Sequence, residues 1–333
     1  MLRILVGLSF FWSAACTTGM DSQISNPMVT PATRSTTTLL PSPSFKVAFV
    51  GDQGHSEETR EVLRLIKEEN VGLLIIPGDF DYSDSPDVWD AMLTEELGDL
   101  PILAAVGNHD LAKWPQYAAK LQARFDKMPK AHCTGELGVK HNCEYKGVQF
   151  IFSGVGTYRR GHEKFIADSL KNSNAAFKVC VWHKNQRKMQ VGGKRDEVGW
   201  EAYEICRREG AIVITAHEHS YSRTHLLSDF QKQTIASKEQ TLNLETGKSF
   251  AVVSGLGGRS IRDQHLGGDY WAKIYSSTQN AKSGALFCTF HTDNNPRAAA
   301  CVFRNIKGEI IDSFGLESHV DEVKPEKIDV PLH

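Results

Sequence analysis

The decapeptide Leu73-Leu74-Ile75-Ile76-Pro77-Gly78-Asp79-Phe80-Asp81-Tyr82 places an apolar run, a Pro-Gly turn, and then two carboxylates and a phenol in direct succession. A short, uninterrupted apolar run bounded by turn residues reads as a strand buried on both faces, the kind that parallel sheets use. The same order recurs on either side of it. Lys46 to Val50 ends in Gly51-Asp52, and Ile102 to Val106 ends in Gly107-Asn108-His109-Asp110. Phe177 to Trp182 delivers His183, and Ala211 to Thr215 leads through Ala216 to His217-Glu218-His219. Val148 to Phe152 reads as a further strand, and amphipathic stretches at Glu57 to Glu69, Asp87 to Leu97, His162 to Lys171 and Val198 to Arg208 read as helices. Strands alternating with helices define an α/β domain. In an open α/β sheet ligands bind beyond the carboxyl ends of the strands, so these polar residues can converge on one crevice.

After His219 the pattern changes. Phe250 to Ser254, Ala285 to His291, Ala298 to Phe303 and Glu309 to Phe314 read as strands joined by Gly- and Asn-bearing turns, which suggests a second sheet. The chain of 333 residues, 41% hydrophobic, is long enough for one large core. Lys and Arg total 38 against 40 for Asp and Glu, so no global charge attracts nucleic acid and any pull on an anionic substrate is local.

Residues 1–16 read as an export segment: Met1-Leu2-Arg3, an apolar run from Ile4 to Trp12, then Ser13-Ala14-Ala15 before Cys16. Small residues ending at a cysteine resemble the lipobox of bacterial lipoproteins, with Ser13 where that pattern usually has Leu, which implies lipidation of Cys16, a membrane partner and a periplasmic or cell-surface location; ordinary secretion and an uncleaved anchor are the alternatives. Residues 17–44, rich in Ser, Thr and Pro, suit a flexible linker. The catalytic domain is expected over 45–316 and a polar tail over 317–333. Six further cysteines behind an export signal favour disulfides over six buried free thiols. Cys288 and Cys301 flank the turn signal Asp293-Asn294-Asn295-Pro296 symmetrically, and proximity then pairs Cys133 with Cys143 and Cys180 with Cys206.

Carboxylates, a phenol, an amide and imidazoles form a mixed oxygen and nitrogen donor set, suited to iron, zinc or manganese rather than to calcium or a thiolate site. A metal pair about 3.5–4 Å apart can clamp a phosphoryl group. Each block alone has a plainer reading, since a Gly-Asp after a strand is commonly a turn or cap and a buried His is commonly a hydrogen-bonded core residue. Five blocks in order, each at a strand end, point to chemistry instead.

Over residues 46–226 these blocks resemble the calcineurin-like metallophosphoesterase superfamily, and most of all its purple acid phosphatase branch. Gly54 stands where the wider superfamily carries a His, and Tyr82 supplies the ligand that the purple acid phosphatases use instead. The resemblance implies a four-layer α/β/β/α sandwich. It also implies one metal held by Asp52, Asp79, Tyr82 and His219, a second by Asp79, Asn108, His183 and His217, and His109 as the group assisting the leaving alcohol. A phenolate ligand implies Fe(III) at the first site, with Fe(II), Zn or Mn at the second. A small phosphomonoester is the implied substrate; a phosphodiester, or a non-catalytic surface-binding role, is the rival.

Two positions depart from the family pattern: Ala216 replaces a customary Gly, and Cys180 a customary Val. Further candidates are weighed beside the ligands. His55 competes for the position vacated at Gly54, and Asp81 competes with Tyr82. Lys184, Arg187, Lys188, Lys194 and Arg195 form either a phosphate grip or a solvated loop, while Arg159 and Arg160 read as surface charges. Gly255-Leu256-Gly257-Gly258 is expected to turn the chain rather than to approach the site.

Overall fold

The computed structural model describes residues 43–128 and 131–320; residues 1–16 with Cys16, nearly all of the linker and the end of the tail lie outside the described residues. Two large sheets organise the domain. The first contains three parallel strands, β1 (Phe45–Phe49), β2 (Leu73–Ile76) and β3 (Ile102–Ala104). It continues on the other side of β1 through β15 (Gly284–Phe290), β16 (Ala298–Asn305), β17 (Ile310–Ser318) and β12 (Thr241–Leu244). The second sheet is centred on β6 (Val148–Ser153), β7 (Phe177–Trp182), β8 (Ile212–Thr215) and β13 (Ala251–Ser254), parallel to one another. Antiparallel β4 (His132–Glu136) and β5 (Lys140–Tyr145) extend it at one edge, and β9 (Tyr221–Thr224) and β14 (Trp271–Tyr275) at the other. A small ribbon pairs β10 (Leu226–Asp229) with β11 (Thr234–Ser237).

The division differs from the sequence expectation. The ligand-bearing strands belong to two sheets, not one, and β13 joins the second sheet beside β8 while the later strands β15 to β17 join the first, beside β1. Apolar runs specify burial but not which neighbour provides it, so the partnering of strands far apart in sequence is settled only in the fold. Structured packing also continues past residue 316, since β17 ends at Ser318 and Val320 is buried.

Three clusters of buried side chains separate these elements. One is formed between the sheets by residues such as Phe49, Leu73, Phe150, Val179, Ile214 and Phe303. The alternate residues of the first sheet, Ala48, Leu74, Ile76 and Phe287 among them, meet α1 (Glu57–Glu68), α2 (Pro86–Leu97) and α3 (Trp114–Phe125). Those of the second sheet, Ile151, Cys180, Trp182 and Val213 among them, meet α4 (His162–Lys171) and α5 (Glu201–Arg208). Side chains that alternate along each strand thus feed a central core and two outer ones. α1 starts where Ser56 caps it, accepting from the Thr59 amide at 3.2 Å, with Glu57 and Glu58 in its first turn and Lys67 in its last. α3 went unanticipated, although Pro115 near its start and the buried Trp114, Tyr117 and Leu121 carry helical spacing.

All three expected disulfides are formed. Cys133–Cys143 and Cys288–Cys301 each join directly opposed residues of a hairpin, and Cys180–Cys206 ties β7 to α5. Cys180 therefore does more than fill the strand as a small hydrophobe would.

The two sheets are also joined by a buried ion pair. Arg223 of β9 donates to both oxygens of Asp312 on β17, at 2.7 and 3.0 Å, and Tyr221 donates its hydroxyl to the same carboxylate at 2.7 Å. Burial alone would raise the Asp312 pKa, but the paired guanidinium outweighs it and holds the carboxyl below its ordinary 3.8. A carboxyl that is more acidic folded than unfolded stabilises the fold fully above its unfolded pKa and loses that contribution as the pH falls below it. Asp312→Ala should cost about 3–5 kcal/mol at neutral pH by stranding Arg223. In urea unfolding its stability should also fall less steeply than wild type below about pH 4; parallel pH profiles would show that the pair contributes nothing to this dependence.

Candidate metal centre

β1, β2 and β3 run parallel in one sheet and β7, β8 and β13 in the other, and the loops beyond their carboxyl ends meet. Hydrogen bonds join the loops across the two sheets: Gly51 N–H donates to Ser254 O at 2.9 Å, Gly257 N–H to Gly51 O at 3.0 Å, and His183 contacts Pro77 O through Nδ1 at 2.9 Å. A second clamp lies within the first sheet. The buried Asp110 carboxylate accepts from the amides of Gly107, Asp79 and Phe80 at 2.7, 3.0 and 2.8 Å, drawing the β2 and β3 loops together. The approach is close enough that a Cβ on Gly107 would lie 2.1 Å from the Asp79 nitrogen. Burial and the neighbouring Asp79 charge push the Asp110 carboxyl up to about 8 despite these donors.

Ala216 fits for a related reason. A Cβ on Gly51 would stand 2.6 Å from the Ala216 Cβ, so one methyl group is tolerated between these two loops because the facing residue has none.

The sequence-predicted ligands gather into two groups. In the first, the Tyr82 hydroxyl donates to Asp52 Oδ1 at 2.8 Å and lies 3.0 Å from His219 Nε2, which is itself 3.5 Å from Asp52 Oδ1. In the second, His183 Nε2 lies 3.2 Å from Asp79 Oδ2 and 3.0 Å from His217 Nδ1. A cation bonded at about 2.0–2.2 Å to its ligands holds neighbouring donors roughly 3 Å apart, so both triads have the spacing of a coordination sphere. Asp79 connects the groups: its carboxylate pairs with His183 and also acts on the Tyr82 phenol. Two buried acceptor atoms, Asp52 Oδ2 and Asn108 Oδ1, have no hydrogen-bond partner, a state that costs free energy unless a ligand relieves it.

The remaining donor atoms are oriented from behind. His219 Nδ1 lies 2.7 Å from Ser260 O, leaving Nε2 toward Tyr82, and His217 Nε2 lies 2.7 Å from Glu197 Oε2, leaving Nδ1 toward His183. Such partners fix the tautomer of a metal-binding imidazole. Burial disfavours a charged His183, but Asp79 outweighs it and raises the imidazole to about 9; burial, and then that His183 charge, lower His217. Burial together with Asp52 and Asp79 raises the Tyr82 phenol. A cluster of anions therefore compensates itself with protons, which a bound cation would displace.

His109 is exposed, its ring 4.4 Å from that of Tyr82, and its amide donates to Asp79 Oδ1 at 2.9 Å. Several weaker candidates are resolved. Asp81 turns away, accepting from the amides of Ser83 and Ser85, and His55 faces Asp81 at 3.4 Å rather than Asp52. Lys184 is held by Glu197 at 2.7 Å, Lys188 reaches Gln233, and Arg187, Arg195, Arg159 and Arg160 are exposed. Lys194 is half-buried beside the centre, its charge acting on Asp52 and Asp79.

The expectation for Gly255-Leu256-Gly257-Gly258 is overturned. A Cβ on Gly255 would stand 2.6 Å from Asp52 Oδ2, so this segment approaches the site as well as turning the chain. It leads to Arg259, whose guanidinium lies 4.4 Å from the centre of the Tyr82 ring, and to Arg262. Sequence reading missed Glu197, Arg259 and Arg262, because none lies in a strand-end block. The only trace was the glycine run itself.

Residues 45–221, just over half the chain, match the calcineurin-like phosphoesterase family. The chain belongs to that family. Purple acid phosphatase 21 of Arabidopsis thaliana is 23% identical over 197 residues, 54% of this chain and 45% of that protein. The structure of purple acid phosphatase PPD1 from yellow lupin (Lupinus luteus) seeds matches with a TM-score of 0.63 at 16% identity, covering 83% of this chain and 54% of the lupin chain. GAP50, the anchor in the inner membrane complex of Plasmodium, matches with a TM-score of 0.55 at 16% identity over 85% of this chain and 90% of its own. The chain thus spans about half the length of the purple acid phosphatases it matches, and the structural likenesses show the fold.

The Glu197–His217 contact has a measurable consequence. Glu197→Ala should weaken binding of one metal equivalent by about 10- to 100-fold and leave the other in place, as read by metal content after dialysis against graded chelator. Lys184→Met, which frees the other side of Glu197, should retain both. Equal retention in all three proteins would reduce Glu197 to a loop anchor.

Proposed function

We propose that this protein is a two-metal phosphomonoesterase. The observation that carries the reading is the pair of donor triads, Asp52/Tyr82/His219 and Asp79/His183/His217, linked through Asp79 and completed by the unpartnered amide oxygen of Asn108. Bound metals would neutralise phosphoryl oxygens and lower the pKa of the attacking water. Fe(III) at the Tyr82 group fits because the phenol, buried beside two carboxylates, needs a strong positive charge to ionise; Fe(II), Zn or Mn suits the other group.

The protein's own groups account for the rest. His109, exposed over Tyr82 and fixed through its amide, is placed to donate a proton to the departing alcohol. Arg259, its guanidinium 4.4 Å from the centre of the Tyr82 ring, puts positive charge beside the same phenol. That charge favours the dianion of a monoester over the monoanion of a diester, and it supports a small phosphorylated substrate. Export through residues 1–16, with a lipid on Cys16 as membrane anchor, completes the proposal, and three disulfides are consistent with an oxidising compartment.

The decisive assay compares an aryl phosphomonoester with the matching diester across pH, using metal-replete protein and Asn108→Ala as control. Monoester preference of at least about tenfold, equivalent to about 1.4 kcal/mol in the barrier, and its loss in the control are expected. A diester preference would transfer the site to nucleotide or lipid diesters, and silence on both would favour a binding role. Asp79→Ala should lose both metals, and Tyr82→Phe should lose any visible charge-transfer band; a variant at Asp79 that keeps two metals contradicts the bridge.

A further inference from the structure

Beside the metal centre lies a cavity of about 470 Å³, lined among others by Gly193, Lys194, Ile261, Arg262, His265 and Ser277. Two loops form its walls, one following β7 and the other following β13. They are stitched together: the amides of His265 and Leu266 both donate to Val191 O at 2.8 Å, and Ser277 N–H donates to Arg262 O at 3.0 Å. Arg262 is also tied to the ligand block, its amide donating to His219 O at 3.0 Å. The cavity is therefore held in a set relation to the donor atoms.

Its charges are unevenly satisfied. The half-buried Lys194 ammonium has neither a hydrogen-bond nor an ion-pair partner among the described residues. Burial, and then the Arg262 guanidinium, push it down to about 8, which leaves it cationic at neutral pH. Among the described residues Arg262 has one ion-pair partner, Glu218, at 3.7 Å, too long for a hydrogen bond. Both Glu218 oxygens are buried and accept no hydrogen bond. The carboxylate fills the space that a Cβ on Gly192 would need, 2.2 Å away. It forms part of the cavity wall beside Arg262. Asp263, the other acid of the lining, accepts from the Ser277 hydroxyl. The cavity thus holds two cationic side chains and an imidazole together with two carboxylates, of which Asp263 is engaged by Ser277 and Glu218 stands beyond hydrogen-bond reach of Arg262, while Lys194 has its ammonium unengaged among the described residues.

We infer that this cavity is a second-anion subsite, so that the favoured substrate is a phosphomonoester whose alcohol portion carries a further carboxylate or phosphate, held by Lys194 and Arg262. The inference rests on the phosphomonoesterase reading for the reaction and goes beyond it in naming the substrate class. A metal centre that grips the transferring phosphate leaves these two cations free for the second group. The Lys194 ammonium can make charge-assisted hydrogen bonds to such a group without leaving an internal partner, and the Arg262 guanidinium would exchange its 3.7 Å contact with Glu218 for a shorter one.

A matched pair of probes tests it: 3-phosphoglycerate, which carries the second anion, and glycerol 3-phosphate, which lacks it. Metal-replete wild type, Lys194→Met, Lys194→Arg and Arg262→Met are compared by kcat/KM and, independently of turnover, by calorimetric binding. Wild type should prefer 3-phosphoglycerate. Each Met variant should lose about 10- to 100-fold on it, the range of a charge-assisted contact, and less than about threefold on glycerol 3-phosphate, while Lys194→Arg should recover most of the loss. Equal losses on both probes would assign Lys194 and Arg262 to the transferring phosphate and overturn the subsite, as would unchanged discrimination. Selective binding without hydrolysis of either probe, or of the aryl phosphate, would keep the subsite and remove the phosphatase reading.

Discussion

The structure depends on how closely the loops beyond β1, β2, β3, β7 and β8 can be brought together, because the donor atoms are useful only at separations near 3 Å. Glycine makes the approach possible at Gly51 and Gly107, where a single added methyl group would collide with Ala216 or with the Asp79 backbone. Asp110 holds it, through three main-chain amides on two loops. The cost appears in the backbone: Asp52, Asp79, Tyr82 and His217 all have positive φ, between 55° and 67°. Left-handed conformations at non-glycine residues cost of order 1–3 kcal/mol each and persist only where the surroundings impose them. Two sheets sharing a central core supply that rigidity.

Electrostatics follow from the same crowding. Several carboxylates and a phenol in a buried space would repel one another, and the protein offsets this by protonating His183 and by aiming Tyr82 at Asp52. Further out, the loop after β13 brings Arg259 over the Tyr82 ring and Arg262 into the wall of the neighbouring cavity. The site thus sets a cluster of anionic groups suited to cations next to the Arg259 guanidinium, which stacks on the Tyr82 ring.

Much of this was legible beforehand. The seven candidate ligands sit in strand-end blocks, and apolar strands that end in polar residues constrain where those residues can go. The disulfides were legible where the partners are near in sequence and flank a turn, as at Cys288 and Cys301. Asp81 and Tyr82 could not be separated by pattern, since only the left-handed turn at Tyr82 sends the phenol inward while Asp81 caps the following turn.

By itself the sequence determined the local chemistry: which strands are buried, which residues follow them, and that an oxygen and nitrogen donor set recurs in order along the chain. Only the tertiary structure decided the partnerships. It placed those strands in two sheets, brought Glu197 to the back of His217, and carried Arg259 and Arg262 from a glycine-rich loop to the mouth of the site. The physical reason is that periodicity encodes burial, which is a property of one segment. Hydrogen bonds and close contacts between distant loops are properties of pairs, and no single stretch of sequence records its partner.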